Sequence, residues 1–161
     1  MIVQDSEDEN ETTLILDVIL DAPRSAVWRC WTESDLLKEW YCPKPWRVTK
    51  IDQDLRAGGR NNGVMEGPNG ERIENTGCFL AVEPQKSLEF TDYFSEGFVP
   101  RRDGFMVGFV RLSDAQGGKT RMIWGARHAD KETTKKHLDM GFRDGWKAAA
   151  AQLEELVKSI A

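Results

Sequence analysis

The sequence is poor in the features that mark membrane, secreted and metal-dependent proteins. Its mean hydropathy is −0.54 over 161 residues, and no apolar run approaches the roughly 18 residues of a membrane-spanning helix. The opening segment, Met1–Asp5, lacks the basic and apolar regions of a signal peptide. We therefore expect a cytoplasmic protein without a membrane span.

Metal-binding residues are few and widely spaced. The three cysteines (Cys30, Cys42 and Cys78) form no C-x-x-C pair, and the two histidines, His128 and His137, are nine positions apart. Neither spacing is that of a local zinc motif. A metal site would need Cys42, Cys78 and both histidines to cluster in space, so the sequence predicts no metal and no cofactor.

The sequence also lacks the common catalytic motifs. No G-x-S-x-G, Walker A or G-x-G-x-x-G string occurs. Acid–base chemistry would depend on Asp92 and His128, the weak catalytic candidates, lying together in the interior. Enzymatic activity therefore stays open, and a non-enzymatic function is favoured.

The negative charge is confined to one end of the chain. Five of the 27 acidic residues lie in residues 1–11, and the remainder of the chain holds 22 acidic and 22 basic residues. We expect an acidic, disordered tail over residues 1–11 and one domain over residues 12–161. No Lys/Arg run exceeds two, so nucleic-acid binding is disfavoured.

Hydrophobic periodicity predicts an α+β fold. Residues 12–20 alternate as a strand, and apolar residues at helical spacing predict two short helices between residues 23 and 40. A series of strands separated by turn signals follows: 46–55, 60–66, 72–82, 87–94, 105–113 and 120–128. Strands joined in this way predict an antiparallel meander.

The last segment predicts a single long helix over residues 131–160, with one apolar stripe. Gly141 and Gly145 lie within it, and each would cost about 1 kcal/mol relative to alanine. Two explanations remain open: the helix approaches the sheet closely there, or the glycines leave space for a ligand beside Phe142 and Trp146.

Five strings of residues resemble a known family. They are Trp40–Pro43, Asp54–Arg60, Met65–Gly70, Thr91-Asp92 and Met140–Trp146. Together they resemble the bacterial single-domain relatives of the activator of the heat-shock protein 90 ATPase, within the START-like (SRPBCC, Bet v 1-like) superfamily. The resemblance covers residues 12–158.

That resemblance implies a helix-grip fold, in which a curved antiparallel sheet wraps a long C-terminal helix around an interior cavity. It also implies binding of a small apolar or aromatic molecule in that cavity, which we take as the leading hypothesis. The alternatives are a co-chaperone-like module in the stress response and a cyclase- or hydrolase-like enzyme. The chain leaves no room for the second domain of the eukaryotic activator, and both a monomer and a homodimer remain possible.

Strand parity selects the side chains that face the predicted cavity. If Phe79, Phe90, Met65 and Trp124 face inward, every second residue along the same strands does too, which adds Ile73, Asn75, Asn61 and Asp92. With residues from the helices, the candidate ligand-binding set is Trp40, Asn61, Met65, Asn75, Phe79, Phe90, Asp92, Trp124, Phe142 and Trp146.

A loop over residues 95–104 is a candidate lid. Its glycines allow movement, and Phe98, Arg101 and Arg102 offer an apolar contact and two cations for an anionic head group. A solvated hairpin loop is the alternative.

Overall fold

A computed structural model describes all 161 residues as an α+β fold. The elements, in chain order, are β1 (Ile2–Gln4), β2 (Thr13–Leu20), α1 (Arg24–Thr32), α2 (Ser34–Trp40), β3 (Arg47–Gln53), β4 (Asn61–Glu66), β5 (Arg72–Asn75), β6 (Cys78–Glu83), β7 (Ser87–Thr91), β8 (Phe94–Ser95), β9 (Val99–Pro100), β10 (Val107–Ala115), β11 (Lys119–Arg127), α3 (Lys131–Asp139) and α4 (Phe142–Ile160). No helix combines the length and the apolar character needed to cross a membrane.

The main sheet has six antiparallel strands in the order β1-β2-β11-β10-β7-β6. Strand β2 shows why the predicted alternation holds: Leu16, Val18 and Leu20 are buried in the core, whereas Asp17 points to the opposite face. There the Asp17 carboxylate receives two hydrogen bonds from the Arg121 guanidinium, at 3.0 and 2.6 Å. The predicted strand period therefore sets which face meets the helices.

A second sheet, β3-β4-β5, meets the first at β6. The junction is a bridge between Arg60 and Cys78, supported by backbone hydrogen bonds of Phe79 with Gly58 and Gly59. A Cβ on Gly59 would lie 1.9 Å from the Asp54 carbonyl oxygen. Only glycine fits at this position, which explains the second glycine of the Asp54–Arg60 string.

The predicted strand over residues 72–82 is two strands, β5 and β6. They separate at Gly77, where a Cβ would lie 2.6 Å from the Thr91 carbonyl oxygen. The Gly77 N–H donates instead to the Asn62 side chain at 3.2 Å. The chain therefore turns from one sheet to the other at a residue that packs directly against backbone.

The predicted C-terminal helix is also two helices. Helix α3 ends at Asp139, and Gly141, which precedes α4, has a φ of 91°. That left-handed conformation suits glycine and ends the α3 helical path. The apolar stripe continues across the break, which is why periodicity alone predicts one helix.

Residues 1–11 differ from the predicted disordered tail. Strand β1 pairs with β2, with Val3 opposite Val18, and the Glu9 carboxylate accepts a hydrogen bond from the Ile15 N–H at 2.9 Å and contacts the Arg143 guanidinium. Three apolar residues start the segment, and a composition argument dominated by its five acids overlooks them. The segment thus belongs to the folded domain.

Candidate functional site

A cavity of about 400 Å³ lies between the curved sheet and the start of α4. Its walls come from α1, α2, both sheets, the loop before β10 and the α3–α4 junction. The exposed side chains of Asn75 and Met140 are part of its rim. Mainly apolar pockets of this size with a few polar groups are typical of small-molecule sites.

The structure brings nine of the ten predicted ligand-binding residues to this cavity. They are Asn61, Met65, Asn75, Phe79, Phe90, Asp92, Trp124, Phe142 and Trp146. Trp40 is fully buried in the adjoining core, where its indole N–H donates to the Cys30 carbonyl at 2.9 Å. The binding role of the nine remains a prediction.

One wall of the cavity is aromatic. The Trp124 and Trp146 rings are stacked at 4.1 Å between centroids, and Phe142 follows Trp146 at 4.4 Å. Trp31 meets Trp124 edge-on at 5.3 Å. The rings have different orientations, so this wall offers both ring faces and ring edges against which an aromatic ligand can pack.

Gly145 opens the cavity on the helix side. A Cβ built on it would meet no atom within 4 Å, and the residue lies on the cavity surface within α4. The first explanation of the helical glycines, close approach to the sheet, therefore does not apply at Gly145. The missing side chain leaves space beside Phe142 and Trp146.

The polar part of the lining includes groups without partners. The Gln53 amide donates to the Asn61 side-chain oxygen at 2.9 Å, but its own oxygen is buried and unpaired. The indole N–H groups of Trp31 and Trp124 are likewise buried without a hydrogen-bond acceptor. An unmet buried polar group costs roughly 1–3 kcal/mol, so the walls of the cavity contain polar atoms that the packing of the protein leaves unsatisfied.

Sequence reasoning did not select Gln53, Trp31 or His137 for this cavity. Gln53 has the same strand parity as Ile51, which also lines it. A bulge between Val48 and Lys50 interrupts the alternation along β3. Alternation counted from the start of the strand therefore does not identify Gln53 as a cavity residue.

Asp92 lines the cavity, but its carboxylate already accepts hydrogen bonds from the protein backbone. One oxygen accepts hydrogen bonds from the backbone N–H groups of Phe105, at 2.7 Å, and Met106, at 3.1 Å. The predicted pairing of Asp92 with His128 is not formed, because the His128 ring bonds to the Thr12 carbonyl and to His137. The side chain closes the loop before β10.

The two histidines meet at one end of the cavity, with 2.9 Å between His128 Nε2 and His137 Nδ1. Burial lowers the pKa of both, that of His137 to about 4, so both rings are neutral at pH 7. The four-residue cluster with Cys42 and Cys78 does not form, since no group of three or more metal-binding side chains is present. Cys42 lines the cavity, where burial raises its pKa and keeps it a thiol.

The candidate lid residues do not line the cavity. The Arg101 guanidinium donates to the backbone oxygens of Thr76, at 2.9 Å, and Asp92, at 3.0 Å, which fixes the loop to the cavity rim. Phe98 packs edge-on against Phe94 and against Gly58, and Arg102 is exposed. The loop is a small hairpin, β8–β9, and Arg101 is committed to holding it.

Comparisons with known proteins agree with this geometry. The model of the family described as "Activator of Hsp90 ATPase homolog 1-like protein" matches residues 21–158. A crystal structure from Nitrosomonas europaea is 38% identical over 94% of this chain and 97% of that chain, with a TM-score of 0.90. A crystal structure from Mycobacterium smegmatis is 28% identical over 96% of both chains, with a TM-score of 0.78. No significant match was found among curated proteins.

The family model spans most of the chain, and the helix-grip architecture expected from the resemblance is the one observed: a curved sheet, two short helices after β2 and a long C-terminal helix beside a cavity. This chain therefore belongs to the family of Activator of Hsp90 ATPase homolog 1-like proteins.

Proposed function

We propose that this protein binds a small, mainly apolar molecule in the cavity between the sheet and α4. The observation that supports the proposal is the cavity itself, which has a volume of about 400 Å³ and an aromatic wall. Core regions of proteins are normally packed without spaces of this size. A space kept open beside a helical glycine supports a binding role.

Gly145 provides the variant that tests the proposal. Gly145→Leu adds a large side chain at a cavity-lining helical position where a Cβ meets no atom within 4 Å, so the protein should fold and lose binding. Gly145→Ala is the matched control, because it adds one methyl group and leaves most of the space.

Two measurements report on binding. Native mass spectrometry of freshly purified wild-type protein should show a bound apolar molecule that Gly145→Leu lacks. Naphthalene added to the wild-type protein should quench the fluorescence of Trp31, Trp124 and Trp146, which line the cavity. Equal naphthalene affinity for wild type and Gly145→Leu would contradict binding at this site.

Family membership also supports a co-chaperone-like module in general. A co-chaperone-like module would stimulate a chaperone ATPase through its surface. Wild type and Gly145→Leu should then stimulate that ATPase equally. Three free thiols, Cys30, Cys42 and Cys78, fit the cytoplasmic location that we propose for either role.

A further inference from the structure

The histidine pair has one arrangement of protons in its neutral state. The distance from His128 Nδ1 to the Thr12 carbonyl oxygen is 3.1 Å. A carbonyl oxygen only accepts hydrogen bonds, so His128 Nδ1 carries the hydrogen. His128 Nε2 then carries a lone pair and is an acceptor. His137 Nδ1 must then donate to that lone pair across 2.9 Å. It follows that neutral His137 has no hydrogen on Nε2.

His137 is the polar end of the aromatic wall. Its ring lies 5.0 Å from Phe142, 5.7 Å from Trp146 and 5.0 Å from Phe105, measured between centroids. It lines the cavity, whereas His128 does not. With Nδ1 bonded to His128, Nε2 is the ring nitrogen left for an occupant of the cavity.

We propose that His137 Nε2 accepts a hydrogen bond from a hydroxyl group of an aromatic ligand held against Trp146 and Phe142. This inference rests on the proposed function and adds the class of ligand: a planar aromatic alcohol or phenol. The wall selects the ring system, and the tautomer fixed by Thr12 and His128 selects a donor over an acceptor at its end.

The same ring is poorly suited to act as a general base. Burial lowers the pKa of His137 to about 4, and efficient general bases titrate near the working pH. An additional proton on either ring would also place a hydrogen on His137 Nε2, because the two rings share one hydrogen bond. The neutral pair at pH 7 therefore serves as a fixed acceptor.

A rival acceptor exists in the unpaired side-chain oxygen of Gln53, on β3. Gln53 and His137 both line the cavity, and a hydroxyl bonded to either would give the same preference in the wild-type protein. Variants at each position are needed to assign the preference.

The first experiment compares β-naphthol, its methyl ether and naphthalene as probes of the wild-type protein at pH 7.5, by calorimetry or tryptophan quenching. β-Naphthol should bind about tenfold more tightly than the ether, the effect of one hydrogen bond. In a cavity without an acceptor the order would reverse, because the hydroxyl would lose its water.

The second experiment compares His137→Asn, His137→Gln and Gln53→Leu. Asparagine places an amide N–H near the Nδ1 position and keeps a donor for His128, but is too short to replace Nε2, so the preference for β-naphthol should disappear. Glutamine reaches the Nε2 position with an acceptor and should retain much of it. Gln53→Leu should leave it unchanged.

The outcomes separate the two proposals. If none of the three probes binds, small-molecule binding in the cavity fails. If all bind and the ether matches or exceeds β-naphthol, cavity binding stands and the hydroxyl inference is overturned. If the preference survives in His137→Asn or is lost in Gln53→Leu, the acceptor is not His137. Should His137→Asn not fold, Gln53→Leu still decides between the two acceptors, because it abolishes the preference only if Gln53 is the acceptor.

Discussion

The two halves of α4 differ in how they meet the sheet. Near its start, Phe142, Gly145 and Trp146 border the cavity. Farther along, Leu153 and Val157 are completely buried in a continuous core with α1 and β2. The same helix thus stabilises the fold with one half and leaves space with the other, so binding and stability can be altered separately.

The largest expected loss of stability comes from the C-terminal half of α4, which is buried in the core. Leu153→Ala should lower the free energy of unfolding by about 3 kcal/mol, since it leaves a void in a close-packed region. Met65→Ala, at the cavity, should cost about 1 kcal/mol, because Met65 is only partly buried and already borders open space. Denaturant titration measures both losses, and equal losses would remove the distinction between the close-packed core and the cavity wall.

Asp92 tests whether the cavity end is rigidly built. Asp92→Ala leaves the Phe105 and Met106 N–H groups without their acceptor, and we expect a loss of about 2 kcal/mol in unfolding free energy. Asp92→Asn is the control: it keeps an acceptor oxygen and should lose under half as much. A larger loss in Asp92→Asn than in Asp92→Ala would indicate that the charge itself matters.

Acid should lower the stability of the protein through His137, which lies on α3 at one end of the cavity. Its pKa falls from 6.5 in the unfolded chain to about 4 in the fold, so the unfolded chain binds more protons between these values. Stability is complete above pH 6.5 and declines as the pH falls toward 4. The ring borders the cavity and is not fully shielded from solvent, so we expect the unfolding free energy to fall by only about 1–2 kcal/mol over this range.

This decline has a defined control. His137→Gln removes the titrating ring and should flatten the stability profile between pH 6.5 and 4, apart from the smaller contribution of His128, whose pKa burial also lowers. A profile as steep as that of the wild type would assign the acid sensitivity to other groups.

The smallest expected effect is a gain. Gly145→Ala adds a methyl group at a helical site where a Cβ meets no atom within 4 Å, and it should raise the unfolding free energy by roughly 0.5–1 kcal/mol. Thermal unfolding measures the change. A loss of stability would mean that the helix start is less open than the structure shows.

The sequence allowed the fold class and part of the cavity lining to be predicted, because both follow from the periodicity of apolar residues along the strands and helices. Alternation along β6, β7 and β11 correctly places Phe79, Phe90 and Trp124 on one face. Ile73, predicted to face inward, pairs with Met65 on the cavity side, but it is 44% exposed because β5 is the edge strand of its sheet.

Contacts between distant segments could not be predicted from period. The meeting of His128 with His137 depends on the turn between β11 and α3, and the commitment of Asp92 to two backbone N–H groups depends on the path of the loop before β10. Arg101, predicted to meet an anionic head group, donates to backbone carbonyl oxygens such as that of Thr76. Each of these side chains has several chemically reasonable partners, and only the three-dimensional path of the chain selects one.

The short first strand has a consequence for the behaviour of concentrated solutions. Strand β2 is rich in leucine, isoleucine and valine, and β1 covers part of its outer edge by pairing with Asp17–Ile19. Without Ile2–Gln4, the backbone groups at this edge of β2 would be free to pair with a strand of another molecule. Exposed apolar edges of this kind promote aggregation. The acidic residues that follow β1 add like-charge repulsion between molecules, so this segment bears on colloidal stability as well as on the fold.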